Sequence, residues 1–172
     1  MIDKFTWKGK SGAWVHGPFS NFHISHFTAP WWGDPQSHEL VWPSAEHYYQ
    51  AAKLTSVADV TKILESDSPG RSKKLGRSLP NRSDWQACSI RAMRDTLTLK
   101  FAIDGENGDA LAYALLTTGD RMLVEGNTWG DQFFGMVKNE QGTYQGQNWL
   151  GLLLMARRAE LRAELAGQTQ MF

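Results

Sequence analysis

Apolar side chains recur at Ile90, Met93, Leu97 and Phe101, a spacing that lays one buried stripe along a helix. Ser83 and Gln86 stand ahead of it at capping-box spacing, so the helix is expected to start there. Upstream, "PSAEHYYQAAKL" predicts a helix from the capping Ser44 to about Leu54, and "VADVTKILES" a second over 57–66. "PGRSKKLG" predicts a short third over 69–76, with Pro69 in its first turn. Downstream, Asp109 opens "ALAYALLTT", which Gly119 closes. The last helix, "NWLGLLLMARRAELRAEL", has Asn148 as its expected N-cap and Gly167 as its expected C-cap. Strands are expected near 13–16 and 39–42, and "RMLVEGN" reads as a short buried strand or extended run. Gly, Pro and Asn punctuate the first forty residues, and no repeat or linker follows. The expectation is a single α+β domain over 1–172, predominantly α-helical with a few short strands.

Composition narrows this picture. The chain has 172 residues, enough for a sizeable core, and its 18 basic and 18 acidic side chains cancel. No global field therefore draws it toward nucleic acid or an anionic membrane. A lone Cys88 excludes an intrachain disulfide and a CxxC zinc site. With no secretory segment and no membrane-length apolar run, the expected setting is cytoplasmic. Eight tryptophans are many for this length, and several sit beside Gly, Pro or Asn. Aromatics so placed line planar-ligand pockets as well as cores.

Candidate chemistry concentrates first in "PSAEHYYQAAKL". Glu46 and Lys53 are two helical turns apart with a rotational offset of about 20°. Tyr49 and Gln50 fill the same face between them. Two readings stand side by side. An acid in the first turn and a lysine in the last both suit the helix dipole, which makes a solvated face. The same four side chains also make one wall of a catalytic pocket.

Elsewhere, Glu125, Asn127, Trp129 and Asp131 crowd a short glycine-containing loop after the apolar run, a density that suits a site. Asn21 lies on a turn, where it serves either backbone geometry or a ligand. Trp85 either packs on its own helix or stacks on a base. "GQNWLG" at 146–151 lacks the residues of a P-loop, but the amides opening the last helix could receive a substrate phosphate. The basic run "RSKKLGR" at 71–77 is a solvated face or a guide for a diphosphate. His23, His26 and His38 lack a carboxylate or cysteine pattern, so neither metal nor cofactor is expected.

Nine motifs then occur in one order: "FSNF", "PSAEHYYQAAKL", "LGR", "DW", "KF", "LLTTGD", "LVEGN", "D-x-x-FG" at 131–135 and "GQNWLGLLLMARR". Together, from about residue 17 to 163, they resemble the NADAR (YbiA-like) family. One departure is Phe134 before Gly135, where the family has Trp-Gly.

The resemblance implies an N-glycosidase that splits ribose C1 from the exocyclic amine of a base. It implies two substrates: ADP-ribosylated guanine, placed first, and ribosylamino-pyrimidine intermediates of riboflavin synthesis. The first would bring a cognate ADP-ribosyltransferase toxin as partner, with the chain as its antidote. No membrane partner is implied. A ribosylamine can open to an imine, so a lysine can exchange with the base and form a Schiff base. The resemblance supports Lys53 as nucleophile and Glu46 as its acid–base partner, and Asp131 is a further catalytic candidate. Phe19, Asn21, Tyr49, Gln50, Trp85, Glu125, Asn127, Trp129, Phe134, Gly135 and Asn148 would bind substrate. Glu46, at a helix N-terminus, is expected to stay ionised. Two alternatives remain open: direct attack by water using Glu46 with Asp131 or Glu125, and a non-catalytic NAD or ADP-ribose binding module, which Phe134 favours.

Overall fold

A computed structural model describes residues 6–8, 14–103 and 108–169. Its architecture is α+β: six helices with short strands. The residues form two compact units, 21–109 and a second made from 1–20 with 110–172.

In the 21–109 unit, β3 (Ile24–Ala29) pairs antiparallel with β4 (Leu40–Ser44). Alternate residues of β3 are buried, as one packed face requires. β4 runs directly into α1 (Ala45–Ala51), where Ser44 Oγ accepts the His47 amide, a cap that contributes about 1 kcal/mol. Helices α2 (Val57–Leu64), α3 (Pro69–Ser78) and α4 (Trp85–Lys100) follow.

Their core gathers Phe27, Trp31, Trp42, Tyr48, Leu54, Val60 and Ile63. Leu54 and Ile63 are fully buried and contribute roughly 1.5–3 kcal/mol each. Trp31 and Trp42 are core residues, and their indole N–H groups donate to the Ala51 and Ala29 carbonyls. A buried indole with its donor satisfied is stable packing.

The stripe on α4 forms as expected: Met93, Leu97 and Phe101 are buried and Ile90 half-buried. Its start differs. The N-cap is Asp84, without a side-chain cap bond, because Arg82 Nε holds the Asp84 carboxylate at 2.6 Å. The expected Ser83–Gln86 box does not form.

In the other unit, β1 (Thr6–Lys8) pairs antiparallel with β2 (Trp14–His16); residue 13, expected in that strand, lies outside the described residues. After α5 (Gly108–Leu116), the extended run buries Leu123 and Val124 completely and leads into β5 (Gly126–Asn127). β5 pairs in parallel with β6 (Met136–Lys138), which pairs antiparallel with β7 (Tyr144–Gln145). The last helix, α6 (Trp149–Thr169), passes through Gly167. That glycine does not cap it, since an isolated glycine is tolerated inside a helix. Arg158 Nη1 ties α6 to the turn after α5, donating to Thr118 Oγ1 at 2.6 Å and to the Arg121 carbonyl at 2.9 Å.

Candidate active site

Every residue of α1 is buried, which rules out the solvated-face reading for this helix. Glu46 is 4% exposed. Its amide donates to the Asn21 carbonyl at 3.0 Å, and its Oε1 accepts Gln50 Nε2 at 2.7 Å. Burial raises its pKa, against the opposing pull of Lys73, the Gln50 hydrogen bond, Lys53 and Arg77. Loss of water therefore opposes the ionisation that the helix N-terminus was expected to favour.

Lys53 lies just past the end of α1, in the turn that closes it. Its Nζ stands 5.6 Å from the Tyr49 ring centroid and 5.8 Å from that of Trp85. The two rings tilt together at 5.2 Å. Trp85 thus packs on α1 as well as opening its own helix. Among the described residues, the Lys53 ammonium makes no hydrogen bond or ion pair. Burial lowers its pKa; Glu46 opposes this, and Lys73 and Arg77 add to it. Its carbonyl accepts the Arg82 amide at 2.6 Å, which fixes the turn against the start of α4.

α3 supplies what the sequence left undecided. Ser72 and Gly76, one turn apart, are buried, and an added Cβ at Gly76 would collide with Gln50 Oε1. Lys73 and Arg77 follow them in the chain and act on both Glu46 and Lys53. This basic run is not merely a solvated face. Nor was it assigned to the Glu46 environment beforehand, because its charges gain meaning only once α3 packs on α1. Asn21 Oδ1, Gln50 Oε1 and Ser72 Oγ are buried without partners among the described residues. Such orphaned atoms cost roughly 1–3 kcal/mol each, which a bound hydroxyl or water would offset.

The same unit has a cavity of about 480 Å³ lined by Trp31, Trp32, Tyr48, Arg82, Arg91 and Asp95, among others; neither Glu46 nor Lys53 lines it.

The remaining candidates belong to the other unit, where most of them build a loop. Asn127 Nδ2 donates to the Asp131 and Met136 carbonyls, and its Oδ1 accepts the Asp131 amide. Asp131 Oδ1 accepts the amides of Phe133 and Phe134. Gly135 is required there, since a Cβ would meet the Glu125 carbonyl and Asn127 Nδ2. Trp129 is 61% exposed, whereas Phe19 is buried.

Asn148 precedes α6 at φ 57°, but its side chain does not cap the helix. Its Oδ1 accepts the Glu125 amide and its Nδ2 donates to the Leu123 carbonyl, bolting the extended run to the helix start. The amides of Trp149 and Leu150 donate to the Phe133 and Phe134 carbonyls. These two donors are already bonded, so they are not open to the phosphate expected there. Among the described residues, no three His, Cys, Asp or Glu side chains gather as a metal site requires.

Comparison with known proteins agrees with this architecture. The NADAR domain model matches residues 7–162. N-glycosidase YbiA of Shigella sonnei is 34% identical over 151 residues, 87% of this chain and 84% of that protein. Riboflavin biosynthesis protein VVA0006 of Vibrio vulnificus is 33% identical over 86% of this chain, which spans only 36% of that longer protein. The NMR structure of Escherichia coli YbiA superposes with a TM-score of 0.68 at 33% identity, covering 87% of this chain and 80% of that one. The chain belongs to the NADAR family.

Proposed function

We propose that the protein is an N-glycosidase that cleaves the bond between ribose C1 and the exocyclic amine of a base, with Lys53 as nucleophile. The observation that carries this is the setting of Lys53: an amine shifted toward its neutral form, over two aromatic faces, beside a buried acid. The relatives named N-glycosidase support the reaction class.

Glu46, held toward its protonated form, gives a proton to the ring oxygen as the C1–O4′ bond breaks and the exocyclic nitrogen forms an imine with C1. Lys53 Nζ adds to C1, and a proton passes from Nζ to the exocyclic nitrogen. The C1–N bond then breaks, the base leaves as its free amine, and C1 remains joined to Nζ as an imine. Water adds to C1 and releases the sugar aldehyde and the lysine. The faces of Tyr49 and Trp85 stabilise the cationic imine as they would an ammonium. In this proposal Asn21 and Gln50 meet sugar hydroxyls. Asp131 and Asn127 shape the loop of the other unit.

Two substrates share the bond. The Vibrio relative is named for riboflavin biosynthesis, which favours a ribosylamino-pyrimidine intermediate of that synthesis. ADP-ribosylated guanine, with its toxin partner, is the other. Borohydride added during turnover should trap the sugar on Lys53, and the substrate that is trapped and loses its base is the true one. Base release at the wild-type rate by Lys53→Ala would remove the nucleophile from the scheme. If neither substrate loses its base, the chain is a binding module.

A further inference from the structure

We propose that Lys73 and Arg77 form an oxyanion subsite on α3 that takes a phosphate ester of the substrate; this rests on the ribosylamine reading above. The two side chains are four residues apart and so share one helical face. Several cations of the described residues are paired with acids: Lys62 with Asp59, Arg82 with Asp84, Arg157 with Glu164 and Arg162 with Asp120. Lys73 and Arg77 have no such ion pair. The carboxylate they act on is Glu46, whose burial weakens its ionisation.

Lys73 and Arg77 thus sit on the helix whose Gly76 packs against Gln50, beside one poorly charged acid. A dianion would balance these two charges. Lys73 is also positioned: its Nζ stands 5.3 Å from the Phe22 ring centroid. Ser68 caps α3 and Pro69 opens it, which fixes the helix that carries both cations. The rival anion seat, the start of α6, has its Trp149 and Leu150 amides already bonded.

The test is titration of the full chain with ribose, ribose 5-phosphate, inorganic phosphate and ADP-ribose, followed by ³¹P NMR and calorimetry. Ribose 5-phosphate should bind well above ribose. The double variant Lys73→Gln/Arg77→Gln should weaken it at least tenfold, while Lys74→Gln, exposed on the same helix, should leave it unchanged. ADP-ribose binding more than tenfold tighter than ribose 5-phosphate assigns the subsite to a diphosphate; comparable binding assigns it to a monoester. Equal affinity in wild type and double variant overturns the proposal, because the ion would then be adventitious. If borohydride trapping fails but the double variant still loses phosphate, the reaction falls and the subsite stands. If trapping persists and phosphate binding is unaltered, the subsite falls alone.

Discussion

Gly76 of α3 lies flat against Gln50 of α1, with no room for a Cβ between the helix and the Gln50 amide. The same amide donates to Glu46, so a glycine on one helix sets the orientation of an acid on another. Replacing Gly76 by alanine should push Gln50 away from Glu46. Overpacking of this kind costs about 1–3 kcal/mol. A lower melting temperature together with at least a tenfold fall in kcat is the expected outcome. Gln50→Ala in the same background should then cost little more, because the contact is already lost.

The charges around Lys53 predict opposite responses to two substitutions. Glu46 raises the Lys53 pKa, whereas Lys73 and Arg77 lower it. Reductive ¹³C-methylation followed by NMR titration should find Lys53 titrating below the exposed lysines. Glu46→Gln should move it further down, and Arg77→Gln should move it up. Shifts of the same sign in both variants would contradict the arrangement.

Lys100 is almost fully buried, and loss of water lowers its pKa to about 7. In the unfolded chain it titrates near the ordinary lysine value of about 10.4. Between these values the unfolded state holds more protons, so stability rises with pH across the window and the penalty is complete below pH 7. The slope from this group approaches about 1.4 kcal/mol per pH unit in mid-window. Urea unfolding between pH 6 and 10 measures it, and Lys100→Met should flatten the rise.

Asn148 fixes the extended run through two buried bonds, to the Glu125 amide and the Leu123 carbonyl. Asn148→Ala leaves both groups unpaired, at a cost of roughly 2–4 kcal/mol. Asn148→Gly should recover only the backbone part, because glycine accepts the positive φ but makes neither bond. Thermal melts should order the three wild type, Gly, Ala.

Much of the fold was legible because it depends on local rules. The α4 stripe, the Ser44 cap and Pro69 at the head of α3 each state their structure within a few residues. The failures share one cause: a side chain with a local use was claimed by a distant or competing partner. Asp84 is held by Arg82 in place of the Ser83–Gln86 box, and Asn148 serves the 123–125 run rather than its own helix. Lys73 and Arg77 were visible as charges, yet their bearing on Glu46 required knowing that α3 packs on α1. The Glu46 pKa followed the same logic: its sequence position suggested a helix dipole, while its burial decided the sign.

The short α1 helix is enclosed along its whole length, so its side chains serve cohesion and chemistry at once. Little latitude is left for retuning there: a change that alters reactivity also disturbs the hydrophobic interior. Anyone redesigning ligand preference would do better to edit the solvent-facing rim of α3 and the 82–85 turn, and leave α1 as the invariant chassis.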